Sequence, residues 1–269
     1  MKKKYSKKAI IALSAFLGFC TYELAGTGID LATKYSIVKS SYGYNNRVRD
    51  EEFNAEFKEE IGGLEKSLQG KNKAAETEIT YDIYVSPLLK SFFDDAGNQK
   101  DNSKWAKEVE NAVSGLETFR QYGIGFNLRH AGILRDGLEQ YSVDTIFRFV
   151  AIGQETKPGL TFIVLPASVS NRNFMSRMSR LELAWTDING SYALIYMTGT
   201  GDSNKHTFAH ETGHMLGLPH KEYNKFLKLL DPFNIICGGL MMQGNMHLND
   251  YSLNEQEISI INNSKERFQ

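Results

Sequence analysis

The chain has 269 residues, 41% of them hydrophobic and 23% charged, and its 31 basic and 32 acidic side chains leave a net charge of -1. That is the composition of an ordinary soluble protein large enough for one good-sized core. The near-zero charge excludes a general attraction to nucleic acid or to an anionic membrane, so partners have to be argued from sites.

The first 28 residues read as an export signal. Met1 to Lys8 carries five lysines, and the 12-residue apolar run Ala9 to Cys20 follows. A basic segment ahead of an apolar one is the plan of a secretory signal, and the run is short for a spanning helix. The expected protein is therefore exported, either secreted or held at the cell surface. Processing is open: no clean A-x-A follows, and Glu23 interrupts the cleavage region. Leu17-Gly18-Phe19-Cys20 resembles a bacterial lipobox, with Cys20 as the lipidated residue, although Phe19 is bulky for that pattern. If nothing cuts, Ala9 to about Ile29 stays as a membrane anchor carrying one glutamate. A cytosolic amphipathic helix is the plain alternative. Of the two cysteines Cys20 falls within the apolar run, so no disulfide framework is indicated; a bridge to Cys237 would require the N-terminus to stay attached, and Cys237 reads as a lone thiol.

Residues 29–77 form a polar spacer or prosegment. Within them Phe53, Phe57, Ile61, Leu64 and Leu68 recur at helical spacing, predicting an amphipathic helix that Gly62-Gly63 weakens in the middle. Such a helix either shields a site or docks on the body as a spacer.

From residue 78 the pattern changes to strands. Ile79 to Val85 alternates and is rich in β-formers, and Pro87 ends it. Ser103 to Tyr122 predicts one helix, with Trp105, Val109, Ala112, Val113, Leu116 and Phe119 on its apolar face, Ser103 as cap and Gly123 as stop. Ile124 to Leu134 is a second strand, and strand-helix-strand is the crossover that builds a parallel sheet. Thr145 to Ile152 is a further β run. Leu160 to Leu165 is short and continuously apolar, as a buried central strand is. Residues 166–180 read as a polar loop. Leu181 to Ile188 and Tyr192 to Met197 flank Asn189-Gly190, a hairpin turn signal.

The chemistry gathers at Thr207 to His220, which reads H-E-x-x-H-x-x-G-x-x-H. Residues four apart share one helix face, so His210 and His214 can offer two imidazoles to one ion, and zinc suits neutral imidazole donors. Glu211 is rotated off that face and can reach a water on the ion without ligating it, which is where a general base belongs. Gly217 tolerates the left-handed conformation that ends a helix, and Pro219 prevents its resumption, which returns His220 as a third ligand. Three protein ligands leave a fourth position for water, the mark of a catalytic site. Asp202 or Ser203 is the expected cap of this helix, while His206, His130 and His247 read as incidental, His206 being a solvent-facing helix residue. Glu222 to Leu230 predicts a short helix, broken at Asp231-Pro232, and Leu253 to Ile258 a capped C-terminal one.

Downstream, Cys237-Gly238-Gly239-Leu240-Met241-Met242-Gln243 presents a methionine in a glycine-rich turn. With the extended histidine motif, this resembles the metzincin clan of zinc metallopeptidases. The resemblance spans about residues 78–269 and implies an α+β catalytic domain: a twisted mixed sheet of about five strands with an antiparallel edge strand, a crossover helix, a zinc helix and a C-terminal helix. It implies Met241 as the Met-turn residue, with Met242 as the alternative. The hairpin at Asn189-Gly190 falls where the clan carries its edge strand, which would let an extended peptide add as one more strand. Gln243 stands where some relatives carry a tyrosine, so no tyrosine role is implied. No four-cysteine cluster follows His220, so the form resembles a matrixin rather than an archaemetzincin. A prosegment thiolate latch is not expected either, because residues 29–77 contain no cysteine.

The expected function is peptide-bond hydrolysis with one zinc ion on His210, His214 and His220 and with Glu211 as base, acting as a monomer on extended peptide or protein substrates. The rival is a non-catalytic surface binding protein that keeps zinc as a structural pin and captures partners along its edge strand. A gluzincin, with a distant glutamate as third ligand, is disfavoured by the G-x-x-H extension.

Overall fold

The computed structural model describes residues 51–69, 75–95, 104–134, 158–166, 184–186, 188–197, 201–220, 240–241 and 251–268. Its frame is a five-stranded sheet: β1 (Thr77–Val85), β2 (Ile124–Ile133), β3 (Leu160–Pro166), β4 (Ala184–Thr186) and β5 (Tyr192–Met197), in the order β2-β1-β3-β5-β4. All pairings are parallel except β4 with β5, so the sheet is mixed with one antiparallel edge, and the fold is α+β. Continuous apolar sequence accounts for the middle position of β3, every residue of which is buried.

The helices are α1 (Glu51–Gln69), α2 (Leu88–Asp95), α3 (Lys104–Val113), α4 (Gly201–Met215) and α5 (Glu255–Ser264). α1 is unbroken through Gly62-Gly63, and its stripe Phe57, Ile61, Leu64 and Leu68 belongs to the main core. Burying an apolar stripe of this kind contributes more than two glycines cost, at about 1 kcal/mol each. Polar contacts add direction. Lys90 on α2 reaches Glu56 and Glu60, and the Trp105 indole donates to Glu60. Glu65 accepts the backbone N–H of Ala131 on the outer strand β2, so the helix also satisfies part of a sheet edge.

The segment expected as a single helix to Tyr122 changes at Ser114 into a 3-10 run, Ser114–Tyr122, that ends at left-handed Gly123. The cause is tertiary. At Gly115 the chain presses on the backbone of α4, where an added Cβ would collide with the Lys205 carbonyl. The tighter helix carries the chain past that contact. α2 is an element that the alternating pattern before Pro87 did not announce. At the other end, α5 is the capped helix expected there, and its cap is a capping box: Asn254 accepts from the Glu257 N–H, and Glu257 accepts from the Asn254 N–H.

No helix among the described residues is long and apolar enough to cross a membrane. The N-terminal signal, Cys20, Ser103, the Thr145 to Ile152 run, residues 167–180, the Glu222 to Leu230 helix, Cys237, Met242, Gln243 and His247 lie outside the described residues.

Candidate metal centre

α4 lies against the sheet through Phe208, whose ring sits 4.9 Å from that of Phe162 on β3, and both side chains are fully buried. The helix begins at Gly201, so Asp202 and Ser203 fall within its first turn instead of preceding it as caps. With one face committed to the core, residues 210 and 214 project from another, one turn apart.

The helix ends as the sequence requires. Gly217 has φ 94°, Gly217 N–H bonds to His214 O and Leu218 N–H to Gly213 O, both at 2.9 Å. This is a Schellman ending, in which crossed bonds satisfy the last carbonyls and the chain reverses. The reversal brings the Leu218 carbonyl to 2.6 Å from His214 Nδ1 and turns His220 back toward the helix.

The three histidines meet. His220 Nε2 lies 3.1 Å from His210 Nε2 and 3.0 Å from His214 Nε2, and one ligand atom from each of the three falls within 4.8 Å of the others. His210 Nδ1 is 2.8 Å from the Leu240 carbonyl. A carbonyl only accepts, so the Nδ1 atoms of His210 and His214 carry the hydrogens and their Nε2 atoms face inward as lone pairs. Burial, ahead of the neighbouring His214 charge, pushes His210 down to about 3; burial likewise pushes His214 down to about 4, and it lowers His220. All three rings are therefore neutral near pH 7. At most one proton, on His220, can lie among three converging nitrogens, which leaves a lone-pair cluster that a cation satisfies. Carbonyl-oriented neutral imidazoles are the donor set of a transition-metal site, and the residues present fit zinc.

Leu240 and Met241 lie under the site. Met241 is fully buried, and a Cβ on Gly213 would stand 2.5 Å from its sulfur, so the glycine between the two helix histidines is what admits the methionine. The Leu240 carbonyl next door orients His210. Glu211 is 8% exposed and has no cationic partner among the described residues, and burial pushes its carboxyl up to about 8. A cation among the histidines would oppose that rise.

His206, expected to face solvent, is only 6% exposed. Its ring stacks on His210 with centroids 6.1 Å apart and meets the Tyr251 ring at 5.5 Å. Its position one turn before a ligand was the signal available, but burial there depends on Tyr251, 45 residues on, which a local pattern does not reveal. His130 is half exposed beside Glu65 on the far edge strand and takes no part in the site. Among the described strands β4, the antiparallel one, stands last in the sheet order, next to β5. Its three residues are all partly exposed.

No family model and no curated protein sequence matches this chain. Solved structures do resemble it. One is described as a chaperone-substrate complex, with TM-score 0.43 and 16% identity, covering 72% of this chain and 36% of that one. Another is metalloproteinase-II from Bacteroides fragilis, with TM-score 0.33 and 13% identity, covering 60% of this chain and 52% of that one. The chain thus spans about a third to a half of the length of these neighbours. At such scores the likeness carries no argument about chemistry, and the reading rests on the site itself.

Proposed function

We propose that this protein is a zinc-dependent endopeptidase in which His210, His214 and His220 hold one zinc ion and Glu211 is the general base. The observation that supports this most is the inward convergence of three neutral imidazole nitrogens, two of them fixed from behind by the Leu240 and Leu218 carbonyls. The chemistry that zinc would supply when held by these histidines is polarisation of the scissile carbonyl and acidification of the attacking water. Glu211 takes the proton that this water loses as its oxygen bonds to the carbonyl carbon, and then delivers it to the amine nitrogen as the C–N bond breaks.

The proposed substrate is an extended stretch of polypeptide, held along the antiparallel edge of the sheet through backbone hydrogen bonds. We further propose export, on the basic and apolar N-terminal segment, with attachment to the membrane if that segment is retained.

The test is metal analysis of the purified full chain together with a casein-cleavage assay with and without a hydroxamate. One zinc per chain and hydroxamate-sensitive cleavage are expected. One zinc with no cleavage of casein or of a peptide library would favour the binding-protein reading, and no zinc would overturn both.

A further inference from the structure

The carbonyls at the end of α4 can be accounted for one by one, and two of their partners come from far away in the sequence. Thr212 O receives the Leu216 N–H, and Gly213 O receives the Leu218 N–H. His214 O receives the Gly217 N–H and, from the β4–β5 hairpin, the Asn189 N–H at 2.9 Å. Met215 O receives Arg267 Nη2 at 3.1 Å, and Arg267 Nη1 donates to Asn189 O at 3.2 Å. Arg267 therefore bridges the hairpin turn and the helix end with one planar guanidinium, whose fixed fork suits two carbonyls at once. A cation is also favoured at the negative end of a helix.

The turn is shaped for this contact. Asn189 has φ 62°, the non-glycine residue with a positive φ among those described, and that backbone points its N–H at His214. A Cβ on Gly217 would fall 2.6 Å from Asn189 Oδ1 and 2.9 Å from Ser264 Oγ. Hairpin, α5 and helix end are thus in contact at the residue where the chain turns back toward His220. Buried Phe268 fixes the segment that carries Arg267, the 3-10 turn Lys265–Phe268.

We propose that Asn189 and Arg267 are positioning residues for the metal centre. They hold the last turn of α4 so that His214 and His220 keep their mutual placement, and they tie the strand hairpin to that turn. Neither touches the ligand atoms. The inference rests on the zinc reading above, but its test compares variants with the parent in metal binding alone, so it does not depend on peptide hydrolysis.

The experiment is zinc competition against a chromogenic chelator on the full chain, with the visible spectrum of the cobalt-substituted protein as a second readout. R267A is expected to bind zinc about 10-fold more weakly, the lower end of what an outer-shell partner contributes, and to show a shifted or broadened cobalt spectrum. N189V should do the same, because a β-branched residue rejects that left-handed backbone. N189G, which keeps both the N–H and the left-handed conformation, should recover most of the affinity, and R267K, with one ammonium in place of a fork, should be intermediate. Thermal melting of the metal-free variants separates a local effect from unfolding. R267A and N189V folded and indistinguishable from the parent in both readouts would overturn the proposal, as would N189G losing as much as N189V. A parent that binds zinc without hydrolysing peptides would sink the peptidase reading and leave this one standing.

Discussion

Two buried carboxylates in this protein have opposite surroundings. Asp82 on β1 is 3% exposed and takes a two-point bridge from Arg129, Nε to Oδ1 at 2.9 Å and Nη2 to Oδ2 at 2.6 Å. The bridge exists because β2 carries a bulge there. Tyr81 pairs with Leu128 and Asp82 with His130, so Arg129 is the extra residue, and its remaining nitrogen reaches the Pro158 carbonyl. Glu211, 8% exposed, has no such partner among the described residues, and burial alone pushes it up to about 8. A fold can bury an acid safely by pairing it, as at Asp82, and an acid buried without a partner is held in a state that costs stability. On the proposed function, Asp82 is a structural group and Glu211 the base.

The sharpest way to break that contrast is to neutralise each acid in turn. Glu211→Gln should reduce hydrolysis by at least about 10³-fold, or roughly 4 kcal/mol of barrier, while zinc content stays at that of the parent. Retained cleavage would remove Glu211 from the reaction.

Removing the partner of the other acid should act on stability alone. Arg129→Ala removes the two-point cationic partner of buried Asp82 and should cost about 3 kcal/mol, seen as a melting temperature some 6–12 °C lower, with turnover per folded molecule unchanged. Lost turnover in folded protein would mean that Asp82 is not merely structural.

Acidity should separate the groups further. His210 and His214 fold with values of about 3 and 4, below the ordinary 6.5. Their contribution is therefore complete above pH 6.5 and is lost as pH falls through 4 and 3, because the unfolded chain binds the protons first. Glu211 has the reverse sign. Its folded value of about 8 exceeds 4.5, so its contribution is complete below pH 4.5 and is lost as pH rises through 8. Metal-free protein should thus melt at progressively lower temperature from pH 6.5 to 4. Metal-free Glu211→Gln should likewise melt above the parent at pH 9, and the difference should vanish near pH 4.5. Equal melting of the two at both pH values would contradict the unpaired burial of Glu211.

Much of this was legible in local sequence because the causes were local. The i, i+4 histidines, the left-handed glycine at 217, the Asn189-Gly190 turn and the capping box at Asn254 are each decided within a few residues, and the apolar run of β3 gives its own depth. What escaped the sequence was set by neighbours distant along the chain. The change to a 3-10 helix at Ser114 follows from the approach of Gly115 to Lys205, the bridge of the bulged Arg129 needs a carboxylate on another strand, and His206 is buried against Tyr251. α2 was hidden because Leu88, Leu89 and Phe93 are too short a run to show a helical period, although all three are buried. The second partners of the α4 carbonyls, Asn189 and Arg267, have no signature short of the folded coordinates.

The central claim is three imidazoles on one ion with a position left for solvent. Zinc K-edge X-ray absorption on the zinc-loaded full chain reads that directly. Three imidazole nitrogens at about 2.0–2.1 Å and one further oxygen donor are expected. A sulfur scatterer, a fourth imidazole, or only two imidazoles would contradict it.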